Sequence, residues 1–453
     1  MKILLVYPFM PDVYHRLGFI LPPLGLGYLA AVAGNMGHEV TILDLNVTGG
    51  KGLEGLSRYD LVGVTMDTSR YHRALEAAGE AMRAGARVVL GGPHATFVAD
   101  DLLAGGVCHD VIRGEGEESF GDLLSALDRG DDCEGILGIS TVKNGKIIHN
   151  SDRPPPEHLD ALPFPDREIM GMDSYRRLTL GGRHITSMVT SRGCPHNCDF
   201  CSSSVFSGTV WRTRGPENIT REIEEIVHRH RFGAVCFMDD NFTMNPERVI
   251  RICDEIEKRS LDIYWWCFSR SDIIVKNETM VRRMAETGCR YVFMGIESAS
   301  DETLKQFGKR STTDKAARAV GLLKKYDIET MGSFIIGWPY ETASMVKNTI
   351  RYSKQLGLGG AQYSILTPYP GTKLYREHGW RIFEDNWEKF DCLHAVMRLD
   401  YLTPGRTERL LKRAFFSFYF TLKRIFVALM SRFRSRGVGM GTIKKIWEFF
   451  WSK

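Results

Sequence analysis

Strand-like and helix-like segments alternate between residues 186 and 370, and this alternation constrains the fold more than any other feature of the chain. A helix-like segment follows each of the first five strands, and one unit takes about 31 residues, a normal length for a strand–helix unit. Six right-handed units of this kind curl into three quarters of a (β/α) barrel, in which functional groups lie at the carboxyl ends of the strands. The six strand-like segments read ITSMVTS, AVCFMDD, IYWWCFS, YVFMGIE, TMGSFIIG and AQYSILTPY.

A second alternating series occupies the beginning of the chain, over residues 1–135. Its strand-like segments read KILLVYP, EVTILDLN, LVGVTM, RVVLGG and VCHDVIRG. Strands that alternate with helices indicate a parallel sheet covered on both faces, so we expect a doubly wound, Rossmann-like α/β domain. Ligands of such sheets bind beyond the carboxyl ends of the strands.

The patterns divide the chain into four regions. Asn144-Gly145 predicts a hairpin turn, and the proline-rich runs after it are incompatible with a regular helix or a central strand. We therefore expect the Rossmann-like domain over 1–135, a linker with this hairpin over 136–184, the barrel over 185–395, and a helical basic region over 396–453.

The composition fits a soluble globular protein, because 43% of the residues are hydrophobic and 25% are charged. No run reaches the roughly 18 uninterrupted apolar residues that a spanning helix needs. The amino terminus resembles a first strand more than a signal peptide. Without a secretory signal, ten cysteines indicate a reducing cytoplasm, where thiols bind metals or pack in cores.

Three cysteines lie close together in the loop after the first barrel strand. Cys194, Cys198 and Cys201 have the spacing C-x3-C-x2-C. Thiolates on one loop hold iron–sulfur clusters, and three of them leave one iron of a four-iron cluster without a protein ligand. An open position on a metal is where its chemistry takes place. The alternative is a zinc site with His196 as fourth ligand.

This loop, including Phe200 before the last cysteine, resembles the signature of the radical S-adenosylmethionine (SAM) superfamily. The superfamily has a partial (β/α)6 barrel, which matches the six units. The resemblance implies a [4Fe-4S] cluster whose open iron binds the amino and carboxylate groups of SAM. It also implies an electron donor such as flavodoxin or ferredoxin, and a 5′-deoxyadenosyl radical that takes hydrogen from the substrate.

The same resemblance implies SAM contacts at the ends of the later barrel strands. Asp239 and Asp240 stand where the family contacts the SAM ammonium, and Arg270 could pair with the SAM carboxylate. Glu297 could accept hydrogen bonds from the ribose, and Gly337 would let adenine lie against the backbone. The alternatives are a turn before a helix for the aspartates and a solvated surface position for Arg270.

Glycine-rich motifs in the first domain resemble the cobalamin-binding domain that precedes many radical SAM barrels: PPLGLGYL, GHEV, GGPHA and RGEGE. The resemblance implies cobalamin at the strand ends, with contacts from Thr65, Gly91, Gly92 and Glu115, because glycines let a large corrin approach the backbone. His15 departs by one residue from the D-x-H-x-x-G spacing of histidine-ligated corrinoid proteins, so we expect a polar loop residue there. A Rossmann-like module without a corrinoid is the alternative.

The positive charge of the chain is concentrated in its last residues. From Arg406 to Lys453, twelve Lys and Arg stand against two Glu, a balance of +10 in a chain of net charge +4. Aromatic residues alternate with these charges at helical spacing, which is typical of an amphipathic helix in a membrane interface. Alternatively, the aromatic face packs on the barrel. We expect a cytoplasmic protein, peripheral at the inner membrane surface if the tail binds lipid, and no nucleic-acid partner.

The two resemblances together imply a cobalamin-dependent radical SAM enzyme. Methyl transfer to an unactivated carbon of a small-molecule substrate is the main hypothesis, with a lipid or a tetrapyrrole as the substrate that the apolar tail suggests. Oxidative cyclisation, hydroxylation or ring rearrangement with the same cofactors is the alternative, as in the anaerobic cyclase of bacteriochlorophyll synthesis.

Two other classes of protein fit less well. A corrinoid-binding sensor with a non-catalytic barrel would not need the intact cysteine motif. A methylthiotransferase would need three more cysteine ligands in its first domain, where only Cys108 and Cys133 occur.

Overall fold

The first sheet has seven strands in the part of the chain that the computed structural model describes, residues 1–10 and 19–421. They are β1 (Lys2–Tyr7), β2 (Glu39–Asp44), β3 (Leu61–Thr65), β4 (Arg87–Gly91), β5 (Asp110–Ile112), β6 (Ile139–Lys143) and β7 (Lys146–His149). Their order is β2-β1-β3-β4-β5-β6-β7, and β1 to β5 are parallel. The carboxyl ends of five strands therefore share one edge of the sheet.

Hydrophobic cores lie on both faces of this sheet, as the alternating pattern predicts. Along β1, Leu4 and Val6 pack in one core, whereas Ile3 and Leu5 pack in the other. A strand buried on both faces needs an uninterrupted apolar run, which explains the sequence KILLVY. The covering helices are α1 (Leu24–Asn35), α2 (Leu45–Thr48), α3 (Tyr71–Arg83), α4 (Pro93–Phe97), α5 (Ala99–Ala104) and α6 (Glu117–Arg129). The predicted doubly wound α/β fold is confirmed.

The second large sheet contains the six predicted barrel strands. Its members are β8 (Thr179–Leu180), β9 (Arg183–Met188), β12 (Ala234–Phe237), β13 (Tyr264–Ser269), β14 (Cys289–Glu297), β15 (Glu329–Ile336) and β16 (Gly360–Ile365), and a separate small sheet pairs β10 (Ser191–Arg192) with β11 (Arg212–Thr213). The order is β16-β15-β14-β13-β12-β9-β8, with all neighbours parallel except β8. Each motif predicted to bind the cluster or SAM therefore follows or ends a strand at the same side of the barrel.

Helix starts in the barrel coincide with side chains that cap them. Asn245, Ser300, Thr312 and Thr342 each accept a hydrogen bond from a backbone N–H three residues further on. Such caps satisfy N–H groups that would otherwise lack partners. The barrel helices are α7 (Ser202–Phe206), α8 (Pro216–Glu224), α9 (Pro246–Lys258), α10 (Ser271–Ile274), α11 (Glu278–Glu286), α12 (Asp301–Gln306), α13 (Thr313–Lys325), α14 (Ala343–Gln355), α15 (Lys373–His378) and α16 (Pro404–Tyr419).

The predicted hairpin forms at Asn144-Gly145, but it belongs to the first sheet. Strand β6 pairs with β5 in antiparallel fashion, and β7 pairs with β6. The irregular segment between the two sheets therefore begins after His149 and not at residue 136. The irregular segment begins later than predicted because the hairpin covers the edge of β5, which would otherwise be open.

Helix α16 packs its aromatic face on the barrel. Leu411 and Phe418 are almost fully buried, and Phe418 is 0% exposed. The Tyr419 hydroxyl donates to the backbone oxygen of Ala361 (2.8 Å) and accepts from its N–H (3.0 Å). In residues 404–419, the aromatic face therefore packs on the barrel, which was the alternative to membrane contact in the sequence analysis.

The rest of the predicted membrane-binding tail, residues 422–453, lies outside the described residues, as does His15. Within residues 1–10 and 19–421, no helix combines the length and the apolar character needed to cross a bilayer.

Phe418→Ala is expected to destabilise the barrel by about 3–5 kcal/mol, because truncating a buried aromatic side chain leaves a cavity. Phe416→Ala is the matched control on the same helix, since Phe416 is 41% exposed, and its cost is expected to be about 1 kcal/mol. Calorimetry of the full chain should show a larger drop in melting temperature for Phe418→Ala. Equal drops would contradict the packing of α16.

Candidate active site

A glycine in the left-handed conformation shapes the start of the cysteine loop. Gly193 has φ +84°, and a Cβ there would lie 2.3 Å from the backbone oxygen of Val210. The next residue, Cys194, donates its N–H to the oxygen of Gly208 (3.1 Å). The loop backbone is therefore packed directly against residues 208–210, which leaves no room for a side chain at position 193.

The three predicted cluster ligands share this loop as free thiols. Cys194, Cys198 and Cys201 are partly buried and form no disulfide, and the Cys201 N–H donates to the oxygen of Cys198 (3.0 Å). Burial raises the pKa of the Cys194 and Cys198 thiols, and at Cys198 the charges of Lys309 and Arg270 oppose this effect. Thiols on one loop with nearby positive charge fit the anionic ligands that an iron–sulfur cluster requires.

The zinc alternative gains no support from the part of the chain that the structure describes. There, no three His, Cys, Asp or Glu side chains are arranged to hold a single metal ion, whereas in a four-iron cluster each cysteine binds a different iron. His196 is the fourth ligand that the zinc alternative would use. Its Nε2 has no hydrogen-bond partner, and burial lowers the pKa of its ring.

Asp199 and Phe200, between the last two cysteines, attach the loop to residues that follow later strands of the barrel. The Asp199 backbone accepts from the N–H of Leu374 (2.9 Å), and its carboxylate accepts from Lys373 Nζ (2.8 Å). The ring of Phe200 meets that of Phe307 edge to face, with centroids 5.6 Å apart. Phe200 therefore packs against an apolar cluster beside the cysteines.

The two aspartates that follow β12 differ in their surroundings. Asp239 is buried and accepts from the backbone N–H of Thr190 (2.6 Å), the Thr190 hydroxyl (2.5 Å) and the Ser191 hydroxyl (2.6 Å). Asp240 instead lines the cavity between the domains, and desolvation, with the charges of Asp239 and Glu115, raises its pKa. Asp239 therefore anchors the loop, whereas Asp240 lines the cavity.

Arg270 and Glu297, the next predicted SAM contacts, each hold a charged partner. Arg270 is bidentate to Asp272, with distances of 3.0 and 3.3 Å. Glu297 is 5% exposed and accepts a hydrogen bond from Lys309. Glu297 also has φ +65°, an uncommon conformation for a residue other than glycine. Such local strain is found most often at functional sites.

Gly337 has φ +96° at the end of β15 and binds a carboxylate that the sequence patterns did not single out. Its N–H donates to Glu341 Oε2 (2.6 Å), and the Trp338 N–H donates to the same oxygen (3.4 Å). Burial raises the pKa of Glu341 to about 7, although these two hydrogen bonds oppose the shift. The only sequence signal was a single glutamate shortly after the glycine.

A cavity of about 330 Å³ lies between the first sheet and the barrel. Thr65, Gly91 and Gly92, three of the residues predicted to contact cobalamin, line it from the carboxyl ends of β3 and β4. A Cβ at two further lining residues, Gly25 and Gly114, would meet no atom within 4 Å. Part of the wall is therefore bare backbone, which a ligand at the strand ends could approach without meeting side chains.

Glu115, the remaining predicted cobalamin contact, is engaged in ion pairs with the barrel. Arg192 Nη1 donates to Glu115 Oε2 (2.8 Å), and Arg212 donates to both Glu115 oxygens. Neither arginine was singled out from the sequence, although Arg192 stands two residues before Cys194. Glu115 lies 77 residues before Arg192 and 97 residues before Arg212, and contacts over such separations leave no local sequence signal.

Comparison with known proteins agrees with this architecture. A model of the radical SAM superfamily matches residues 188–353, and a model of the B12 binding domain matches residues 11–124. An uncharacterized methyltransferase of Pyrococcus horikoshii is 38% identical over 430 residues, which cover 92% of each chain. The anaerobic magnesium-protoporphyrin IX monomethyl ester cyclase of Rubrivivax gelatinosus is 29% identical over 423 residues, which cover 89% of this chain and 75% of the cyclase.

A solved structure has the same fold. The radical SAM methyltransferase TsrM from Kitasatospora setae, determined with cobalamin and a [4Fe-4S] cluster bound, superimposes with a TM-score of 0.71 at 21% identity. The match covers 84% of this chain and 74% of TsrM.

Fold and site define an enzyme in which a radical SAM barrel follows a B12-binding domain. The chain belongs to the cobalamin-dependent radical SAM family, whose relatives include methyltransferases. This confirms the family and the three cofactors expected from the sequence: a [4Fe-4S] cluster, SAM and cobalamin.

Gly193→Ala is expected to abolish most cluster binding, because its Cβ would collide with the Val210 oxygen and move the loop. Gly208→Ala is the matched control: its φ is +79°, but a Cβ there would meet nothing within 4 Å. Both variants carry about 1–2 kcal/mol of backbone strain, so their difference isolates the collision. Bound iron and sulfide after anaerobic reconstitution provide the measurement. Equal iron content in the two variants would contradict the tight packing of the loop.

Proposed function

We propose that this enzyme transfers a methyl group from SAM to an unactivated carbon of a small-molecule substrate. The observation that carries the proposal is the cavity that both domains line. Asp240 and Arg192 of the barrel face it from one side, and Thr65, Gly91 and Gly92 face it from the other. A substrate in this cavity would lie between the two cofactor sites and could contact both cofactors, as catalysis by proximity requires.

Cys194, Cys198 and Cys201 are the residues we assign as cluster ligands. When bound, the cluster and SAM supply a carbon-centred radical, and cobalamin supplies the methyl group. The protein's own part is to orient these groups and to exclude water. Phe200 and Phe307 support the exclusion of water, since both belong to the apolar cluster beside the loop.

Asp240, Arg270 and Glu297 are the side chains we assign to SAM. Asp240 faces the cavity, and an ammonium group would favour its charged form against the desolvation that raises its pKa. Arg270 and Glu297 are oriented by Asp272 and Lys309 before any ligand arrives. Preorganised charges lose less freedom on binding than mobile ones.

For the substrate we propose a lipid or a tetrapyrrole, whose apolar part would contact the exposed surface at the carboxyl end of β15 while its reacting carbon lies between the cofactors. Tyr340 and Trp380 are exposed there, and both rings lie at the guanidinium of Arg381. Arg381 stacks on Trp380 (4.4 Å) and pairs with Asp400 (2.6 Å), which holds the surrounding loops together. Exposed apolar groups gathered at one place favour an apolar partner over water.

Oxidative cyclisation is the second candidate, favoured by the identity to the anaerobic cyclase. Both candidates need an electron donor, and we propose a flavodoxin or a ferredoxin. Peripheral membrane contact through residues 422–453 stays a prediction from the basic and aromatic sequence.

Cys198→Ala is expected to abolish cluster binding and SAM cleavage. The full chain, reconstituted anaerobically and supplied with SAM, hydroxocobalamin and a chemical reductant, should release deoxyadenosine, and the variant should release none. Cys108→Ala is the control, because Cys108 is buried in the core of the first domain, where burial raises its pKa to about 12. Cleavage of SAM by Cys198→Ala at the wild-type rate would contradict the ligand assignment.

Methyl transfer has a separate signature once a candidate substrate, a lipid or a tetrapyrrole, is added to the same reaction. The wild-type chain is expected to form S-adenosylhomocysteine in addition to deoxyadenosine, because the methyl group of SAM is consumed. Deoxyadenosine without S-adenosylhomocysteine would contradict methylation and favour the cyclase alternative.

A further inference from the structure

Two arginines of the barrel and two glutamates of the first domain meet at the wall of the cavity. Arg192 bonds Glu115 (2.8 Å) and Glu117 (2.6 Å), and Arg212 bonds Glu115 through two nitrogens. Their side chains are only 6% to 14% exposed. Four charges that are largely removed from water therefore balance one another across the domain interface.

The Glu115 carboxyl of this network is ionised at neutral pH. Burial alone would raise the pKa of Glu115, but hydrogen bonds and charges from Arg212 and Arg192 hold it below its ordinary value. A largely buried charge that loses its partner is strongly destabilised. Each glutamate therefore restricts the position of the arginine that it binds, and the reverse also holds.

On the barrel side, the network is attached to the cluster loop. Arg192 lies in β10, immediately before Gly193 and Cys194, and is paired across the small sheet with Arg212. Arg212 also donates to the backbone oxygen of Ser207 (3.0 Å), next to the Gly208 oxygen that binds Cys194. A shift of either arginine would therefore move the backbone around the first cluster ligand.

On the side of the first domain, the glutamates of the network line the cavity. Glu115 lies in the turn between β5 and α6, and Glu117 is the first residue of α6. Both line the cavity, together with Gly114 and Gly116. A ligand that fills the cavity therefore contacts the same short segment that holds the arginines.

We propose that Glu115, Glu117, Arg192 and Arg212 are positioning residues that couple cobalamin binding to cluster binding. The proposal rests on the proposed function for the location of the two cofactors, and it replaces the assignment of Glu115 as a direct cobalamin contact. Because coupling between two binding sites is reciprocal, each cofactor strengthens the binding of the other by the same factor.

The test compares the affinity of the full chain for hydroxocobalamin before and after anaerobic reconstitution of the cluster. The wild-type chain is expected to bind hydroxocobalamin at least about five-fold more tightly with the cluster. Glu115→Gln should bring this ratio close to one. Glu118→Gln is the matched control, because Glu118 is 50% exposed and pairs with Arg153 (3.2 Å) away from the cluster loop. It should keep the wild-type ratio.

Arg192→Lys is the second variant, since lysine keeps the charge but does not reproduce the fork that joins two carboxylates. In the wild-type chain, bound hydroxocobalamin should slow the loss of cluster iron to a chelator, whereas in Arg192→Lys the rate of iron loss should be the same with and without hydroxocobalamin. A purely structural role would lower the iron or cobalamin content of the variants and leave the affinity ratio unchanged.

Three outcomes would overturn the coupling. They are a wild-type ratio of one with tight cobalamin binding, a wild-type ratio retained in Glu115→Gln, and a slowing of iron loss by hydroxocobalamin retained in Arg192→Lys. None of these outcomes affects the proposed methyl transfer. Failure of the wild-type chain to bind hydroxocobalamin in either form would overturn the coupling and the proposed function together.

Discussion

The carboxylate of Asp239 holds the segment from which the cluster loop emerges. It accepts three short hydrogen bonds from Thr190 and Ser191, inside a region where water does not compete. Hydrogen bonds to a charged acceptor in such a place are worth more than neutral ones, and losing one partner leaves the other group unsatisfied. The end of β12 thereby sets where Arg192 and Cys194 can lie.

Three other parts of the molecule then fix the remainder of the loop. The first domain holds Arg192, the turn at Gly208 holds Cys194, and α15 with its neighbours holds Asp199. These contacts come from distant parts of the chain, so the loop depends on the complete barrel and on the first domain. A short cysteine motif outside this setting would lose all of these contacts.

The two sheets and the cysteine motif could be predicted from sequence because their signals are local. Continuous apolar runs and strand–helix alternation reflect burial on both faces, and three closely spaced cysteines need no tertiary partner to be recognised. Glu115, in contrast, has the same sequence context whether it contacts a cofactor or an arginine 77 residues away. The hairpin at Asn144-Gly145 was recognised from its turn, but its strand partner β5 could not be, since pairing across an intervening helix leaves no local pattern.

The charged partners of Arg270 and Glu297 do not exclude their predicted contact with SAM. A carboxylate offers about four acceptor sites, and Lys309 uses one oxygen of Glu297; a guanidinium offers five donors, and Asp272 engages two nitrogens of Arg270. The partners lower the cost of keeping these groups buried and fix their direction. Groups held in this way need little reorganisation when a charged ligand arrives, which is the condition under which fixed charges are most effective in catalysis. Glu115 differs from Arg270 and Glu297 in this respect. Both of its oxygens already accept hydrogen bonds from arginines, so it has little capacity left to bind a cofactor.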